Sequence, residues 1–228
     1  MISRLFRGGA AAGTQGHPSE TQRVQRRSNG LMELTRSLRG EEGLRVLDLG
    51  PTSPQNIAYF TGMAHRIHNE DVVRAALDPA LLVARETGER VIDVDRFLKE
   101  NLTYDKEFFD AVLCWDIADY LPADIVKPVV ERIHRVTKSK GLLLAFFHTK
   151  DAGPDAPYHR YHIATHDTLE LQRIAAPAPG KREDASCSAH FRLQRVFNNR
   201  HIENLFHDYA SIKFFLGRDN IREVLVVR

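Results

Sequence analysis

The chain has 228 residues, of which 43% are hydrophobic and 27% are charged, and its formal net charge is +2. This composition is ordinary for a globular protein, and no apolar run approaches the ~20 residues of a membrane-spanning helix, so we expect no membrane interaction. The arginine excess lies in residues 1–30 and the remaining residues are slightly acidic, which argues against a nucleic-acid-binding domain.

Residues 1–18 are basic, rich in glycine and alanine and poor in apolar residues, so we predict a flexible tail. Residues 19–228 are predicted to fold as one domain. Its first helix covers about residues 19–38, and later helices are predicted at about 55–62 and 122–138. The predicted strands, in chain order, are Leu44–Leu49, His65–Glu70, Arg90–Val94, Phe108–Asp116 and Leu142–Phe147. This alternation indicates a parallel sheet with helices on both faces.

Two later stretches alternate apolar and polar residues, RYHIATHDTLELQRI (160–174) and SAHFRLQRVF (188–197), and they flank the turn-rich segment APAPGKRED. We therefore predict an inserted antiparallel β-hairpin over residues 160–197, after the fifth strand. Such a hairpin would serve as a lid, as a wall of an acceptor site or as the interface of a homodimer. The chain closes with ASIKFFL, the turn GRDN and IREVLVV, a second antiparallel hairpin that the usual dinucleotide-binding sheet lacks.

Together these features resemble the class I S-adenosylmethionine (SAM)-dependent methyltransferases, of the methyltransferase type 11 kind, over about residues 43–228. VLDLG (46–50) is similar to the family's first motif, FDAVLCWD (109–116) to its fourth-strand motif, and VVERIHRVTKSKGLLLAFF (129–147) to the helix and strand that follow. The resemblance implies a three-layer, Rossmann-like α/β fold. Its seven-stranded sheet would be mostly parallel, with an antiparallel last strand beside the fifth.

The resemblance also implies SAM as the cofactor, bound at the carboxyl ends of the strands. Glu70 or Asp71 would hold the ribose hydroxyls, and Asp95 would face the adenine or else cap a short helix. The family's GxGxG loop is reduced here to GPTSP (50–54). Either the hydroxyls of Thr52 and Ser53 replace the backbone contacts to the cofactor that the prolines remove, or cofactor binding has been lost. The predicted cofactor-binding residues are Asp48, Gly50, Thr52, Ser53, Glu70, Asp71, Asp95 and Trp115.

Asp116 and His148 end or follow the fourth and fifth strands, where the family places acceptor-facing residues, and they are the predicted catalytic residues. His148 would act as a base near neutral pH, the alternative being an ordinary loop histidine. We predict no metal site, because His159 and His162 fall on opposite faces of an extended segment and the two cysteines form no CxxC pair. So few cysteines also favour a reducing, cytoplasmic location.

The sequence thus predicts a cytoplasmic enzyme that transfers a methyl group from SAM to an unidentified small-molecule acceptor. A nucleic-acid acceptor is not expected, because the sequence lacks the (Asp/Asn/Ser)-Pro-Pro-(Tyr/Phe) motif of enzymes that methylate nucleic-acid amino groups. The main alternative is a catalytically inactive, methyltransferase-like binding or scaffold protein, which the proline-rich loop motivates. An NAD(P) oxidoreductase is less favoured, since the sequence lacks GxGxxG.

Overall fold

The structure is a computed structural model that describes residues 23–150, 157–174, 191–217 and 219–228. Within these residues the strands are β1 (Arg23–Arg27), β2 (Arg45–Asp48), β3 (Arg66–Asn69), β4 (Leu82–Ala84), β5 (Arg90–Ile92), β6 (Phe109–Trp115), β7 (Thr137–His148), β8 (His159–Ile163), β9 (Thr168–Arg173), β10 (Ser211–Leu216) and β11 (Ile221–Val227). The α-helices are α1 (Asn29–Leu38), α2 (Pro54–Gly62), α3 (Val72–Ala75), α4 (Val94–Glu100), α5 (Ile117–Tyr120), α6 (Ala123–Val136) and α7 (Asn199–Leu205). The predicted tail, residues 1–18, lies outside the described part of the chain.

The central sheet has six strands in the order β10-β11-β7-β6-β2-β3. The four strands β3, β2, β6 and β7 are parallel, whereas β11 runs antiparallel to both β7 and β10. β6 and β7 form the centre of the sheet because their apolar runs, Ala111–Trp115 and Leu143–His148, are buried throughout. The predicted Rossmann-like α/β class, with a mostly parallel sheet and antiparallel strands at one end, is confirmed.

The third predicted strand, Arg90–Val94, does not join this sheet, so the described part of the sheet has six strands and not seven. Its residues Arg90–Ile92 pair with Leu82–Ala84 in a separate two-stranded hairpin that is mostly exposed to solvent. Asp93 then accepts a hydrogen bond from the backbone N–H of Arg96 and begins α4. The segment therefore turns into a helix too early to extend along β3, and its predicted place in the sheet was wrong.

The first helix begins at Asn29, ten residues later than predicted from the sequence. Ser28 caps it, because the Ser28 Oγ accepts a hydrogen bond from the N–H of Leu31 (3.0 Å). Residues Arg23–Arg27 form a strand that pairs with β9. This pairing turns Arg26 inward, where its Nη1 lies 2.8 Å from the buried carboxylate of Glu223. Long-range pairing thus outweighs the helical pattern before Ser28.

A hairpin is present in the region predicted, 160–197, of which the structure describes residues 160–174 and 191–197. Its strands β8 and β9 span residues 159–173, which corresponds to the first predicted arm extended by one residue at its start, and residues 164–167 form the turn. The turn is stabilised by the Asp167 carboxylate, which accepts hydrogen bonds from the hydroxyls of Thr165 (2.8 Å) and Thr168 (2.9 Å). Of the second predicted arm, residues 191–197 form no strand and residues 188–190 lie outside the described part of the chain.

Strand β1 extends this hairpin into a three-stranded sheet, β1-β9-β8, which we call the cap sheet. The cap sheet, α1 and α2 cover one face of the central sheet, and α3 to α7 contribute to the apolar layer on the other face. Tyr161 and Ile163 of β8 are buried against Leu113 and Trp115 of β6 and Phe146 of β7. Strand β8 therefore covers the carboxyl end of the central strands. In the described residues no helix is both long and apolar enough to cross a bilayer.

Candidate functional site

The carboxyl ends of β2 and β6 meet around Asp48, a buried residue that is 1% exposed. The indole Nε1 of Trp115 donates a hydrogen bond to Asp48 Oδ1 (2.6 Å), and the Asn56 amide donates one to Oδ2 (2.8 Å). Burial raises the pKa of Asp48 to about 6, although these hydrogen bonds oppose the shift. Both carboxylate oxygens of this predicted cofactor residue are therefore engaged by protein groups.

Trp115 lies over Gly50, at the position where the family's first glycine would be approached by a ligand. A Cβ at Gly50 would lie 2.9 Å from Trp115 Cδ1, so only glycine fits under this ring. Trp115 has a left-handed backbone (φ 43°) at an irregularity in the pairing of β6 with β7. Its ring stacks on that of Tyr161, with centroids 5.0 Å apart and planes 6° apart. We call Trp115 and Tyr161 the aromatic pair.

The hydroxyls of the proline-rich loop are also engaged. Thr52 Oγ1 donates a hydrogen bond to the side-chain oxygen of Asn69, and the Asn69 amide donates to the backbone oxygens of Asp48 (3.0 Å) and Gly50 (2.9 Å). Ser53 Oγ accepts from the N–H of Asn56 (3.2 Å) and so caps α2. The same oxygen lies 2.8 Å from Nδ1 of His162 in the cap sheet. The loop is thus tied to β3 on one side and to the cap sheet on the other.

The two acidic residues after β3 are half-buried and have structural contacts. Glu70 Oε2 accepts a hydrogen bond from the N–H of Leu102 (2.9 Å). Asp71 caps α3 by accepting from the N–H of Arg74 (3.0 Å), and burial raises the pKa of Asp71. Asp95 is exposed in the first turn of α4, and the cap of that helix is Asp93. Glu70 and Asp71 therefore lie next to the Asp48 edge, since Glu70 N–H donates to Asp48 O (2.9 Å).

The predicted catalytic residues lie at the ends of the two neighbouring strands, β6 and β7. The backbone N–H of His148 donates to Asp119 Oδ2 (2.6 Å), and His148 Nδ1 lies 2.8 Å from the same oxygen. Asp119 is fully buried, and Asp116 is 1% exposed and accepts a hydrogen bond from the Tyr161 hydroxyl (2.9 Å). The structure therefore brings Asp116 and His148 together through Asp119 and the aromatic pair.

Burial and neighbouring charges shift the pKa values of Asp116, His148 and His159. Burial raises the pKa of Asp116 to about 6. Burial lowers the pKa of His148, but the hydrogen bond to Asp119 and the charges of Asp116 and Asp119 outweigh it, so that the pKa is raised. Burial and the charge of His148 lower the pKa of His159 to about 4. Of these two histidines, His148 is therefore the more readily protonated.

Three residues of this site were not predicted from the sequence: Asn56, Asp119 and Tyr161. Each is buried and polar, and each contacts a residue that was predicted. Their signals were weak. Tyr161 alternates with Ile163 on the inner face of β8, whereas Asn56 and Asp119 are single polar residues on otherwise apolar helix faces. No group of histidine, cysteine and acidic residues suited to a metal occurs in the described ranges.

Residues 47–145, which include the end of β2, all of β6, most of β7 and the Asp48 edge, match the family model for a methyltransferase domain. This match supports a class I SAM-dependent methyltransferase domain over residues 47–145. The chain is also similar to solved methyltransferases, but no curated protein matches it. The 1,6-didemethyltoxoflavin N1-methyltransferase of Burkholderia thailandensis is 15% identical, with 87% of this chain and 76% of that chain covered and a TM-score of 0.48. A SAM-dependent methyltransferase of Archaeoglobus fulgidus is 10% identical, with 87% and 92% covered and a TM-score of 0.46.

The methyltransferase domain implies SAM as its cofactor, but the residues at the Asp48 edge do not fit SAM in this conformation. The aromatic pair covers Gly50, both oxygens of Asp48 are engaged, and the loop hydroxyls have protein partners. Two surface grooves in the described part of the domain lie elsewhere, one between α6 and α7 and one beside the ends of α1 and α2. Binding at the Asp48 edge therefore requires the aromatic pair to move.

Proposed function

We propose that the chain is an enzyme that transfers a methyl group from SAM to a small-molecule acceptor. The observation that carries this proposal is the match of residues 47–145 to the methyltransferase domain. A small acceptor is supported by the slightly acidic net charge of the residues after residue 30, which argues against a basic nucleic-acid-binding surface. The cytoplasmic location and the homodimer both stay predictions. The homodimer was predicted to form through an edge of the hairpin, and one of these edges, β9, is already paired with β1.

Within this proposal, His148 and Asp116 face the acceptor. Asp119 fixes the imidazole through Nδ1, which leaves Nε2 as the nitrogen that exchanges a proton with a bound group. The two carboxylates next to His148 favour its protonated form. His148 therefore acts as a base only above its raised pKa, and below that pKa it donates a hydrogen bond. An acceptor that loses a proton would be methylated faster as the pH rises through this range.

The proposal also assigns the ribose of SAM to Glu70 and Asp71. The carboxyl ends of neighbouring parallel strands meet at one edge of the sheet, and both residues directly follow β3. The contact of Glu70 with the Leu102 N–H holds this carboxylate beside the edge. The other predicted contacts, Asp48, Thr52 and Ser53, would have to exchange protein partners for cofactor atoms.

Calorimetric titration with SAM and S-adenosylhomocysteine, with NAD as the comparison, tests the proposal. Micromolar binding of both sulfur nucleosides and none of NAD supports it. Binding of NAD alone would instead support the oxidoreductase alternative, and a folded protein that binds none of the three would support the scaffold alternative. Glu70→Gln keeps an oxygen for the Leu102 N–H but removes the charge, so it separates ribose binding from loop stability. We expect at least a tenfold loss of affinity in this variant, since hydrogen bonds to a charged group contribute roughly 1.5–3 kcal/mol.

A further inference from the structure

We propose that Trp115 and Tyr161 form a gate that closes the cofactor edge and that cofactor binding opens it by moving both side chains. This inference rests on the proposed function. Its basis is the position of the aromatic pair, which covers Gly50 between the ends of β2 and β6. That position lies between the acidic residues after β3 and the His148 group at the end of β7, where a cofactor and an acceptor would have to meet.

The closed position of Trp115 is held by a few specific contacts against a backbone that resists it. A left-handed conformation costs a residue other than glycine about 1 kcal/mol or more, and such outliers concentrate at functional sites. Here the cost is offset by the hydrogen bond of the indole to Asp48 and by stacking on Tyr161. Loss of either contact leaves the strained backbone uncompensated.

Tyr161 is held by β8 on its backbone side and by one hydrogen bond at its tip. The Asn56 amide donates to the Tyr161 carbonyl (3.0 Å), and the Ile163 N–H donates to the Asn56 oxygen (2.8 Å). These bonds hold the backbone of β8 on α2 whether the side chain points in or out. The hydroxyl of Tyr161 ends on Asp116. The gate therefore opens by side-chain rotation, while the cap sheet stays in place.

The same hydrogen bonds link the gate to both halves of the site. Asn56 donates to Asp48 as well as to Tyr161, so the carboxylate that holds Trp115 and the strand that carries Tyr161 share one amide. On the other side, the Tyr161 hydroxyl contacts Asp116, next to the His148–Asp119 pair. Opening the gate would release Asp48 and Asp116 together. The residues predicted for the cofactor and for the acceptor would therefore become accessible in one step.

The experiment uses the fact that Trp115 is the only tryptophan of the chain. Its fluorescence therefore reports the gate directly, without a label. S-adenosylhomocysteine is titrated into the wild-type protein, and the emission maximum and acrylamide quenching are recorded together with the calorimetric dissociation constant. We expect the emission to shift to longer wavelength and the quenching to increase as binding saturates, because the indole leaves its buried stack.

The variant Tyr161→Ala removes one half of the gate, and Tyr161→Phe keeps the ring but removes the hydrogen bond to Asp116. The stack of Trp115 on Tyr161 stabilises the closed state by a modest free energy, and only the open fraction of the protein can bind the ligand. Because Tyr161→Ala removes this stack, the variant should bind S-adenosylhomocysteine about 2- to 10-fold more tightly than the wild type. Tyr161→Phe should lie between this variant and the wild type. Tyr59→Ala, on α2 and outside the pair, serves as the control and should leave the affinity unchanged.

The outcomes separate the gate from the proposed function. Wild-type binding without any change in Trp115 fluorescence would overturn the gate and leave the methyltransferase proposal intact, even if Tyr161→Ala did not fold. Weaker binding by folded Tyr161→Ala would also overturn the gate, because Tyr161 would then belong to the binding surface. If neither the wild type nor Tyr161→Ala binds, the proposed function and the gate are both overturned.

Discussion

Asp48 is a buried acid whose ionisation should destabilise the fold, and Asp48→Asn tests this. The pKa of Asp48 is raised from 3.8 to about 6, so the folded protein binds this proton more tightly than the unfolded chain does. Stability contributed by the protonated form is therefore lost as the pH rises from about 4 to above 6. At about 1.36 kcal/mol for each tenfold change in proton affinity, the full effect is about 3 kcal/mol, of which roughly half falls between pH 5 and pH 8.

The assay is urea unfolding of the wild type and Asp48→Asn at several pH values between 5 and 8. Asparagine cannot ionise, so the stability of the variant relative to the wild type should rise by roughly 1 kcal/mol across this range. Its absolute stability also reflects the lost acceptor for the Asn56 amide, so the pH dependence is the diagnostic quantity. Thr61→Ala, an exposed change without a titratable group, should show a constant difference. A flat or falling difference for Asp48→Asn would refute the reasoning.

Other contacts of the cap sheet and the loop make further predictions. Asn56→Ala removes three hydrogen bonds from a buried amide and should lower the free energy of unfolding in urea by about 2–4 kcal/mol. Arg26→Ala leaves Glu223, which is 2% exposed, without the cation 2.8 Å away, and thermal unfolding should show a loss of about 3 kcal/mol that Glu223→Gln partly restores. Gly50→Ala places a Cβ 2.9 Å from Trp115 Cδ1, which should displace the indole, so the fluorescence emission of Trp115 should shift to longer wavelength. An unchanged emission spectrum would show that the Trp115 ring does not lie over Gly50.

The central strands could be predicted from the sequence because their burial is written in continuous apolar runs. The predicted strands Leu44–Leu49, Phe108–Asp116 and Leu142–Phe147 correspond to β2, β6 and β7. Short exposed segments have no continuous apolar run, so the sequence does not show which strand they pair with. Arg23–Arg27 forms a strand because it pairs with β9. Arg90–Ile92 pairs with the nearby segment Leu82–Ala84 and not with the central sheet.

In the site, too, the residues at the strand ends could be predicted from the sequence, whereas the side chain that covers them could not. The ends of parallel strands meet at one edge, so the sequence order alone places Asp48, Glu70 and Asp116 near one another. What fills that edge is decided by Tyr161, more than one hundred residues after Asp48 in the chain. A side chain from so distant a strand leaves no local pattern around the residues that it contacts. The sequence therefore places these three residues near one another, but it does not predict that Tyr161 stacks on Trp115 and covers them.

The proline-rich loop is explained by its contacts with the cap sheet and β3. Pro54 stands at the start of α2, where a missing N–H leaves no helical hydrogen bond unmade. Ser53 caps the same helix and contacts His162, and Thr52 contacts Asn69. Glycines at these positions would lack the hydroxyls that make these bonds. In this loop the side chains of Thr52 and Ser53 hold neighbouring elements, so the absence of further glycines does not by itself indicate a lost cofactor. Under the proposed gate, SAM binding instead depends on the freedom of Trp115 and Tyr161 to leave Gly50.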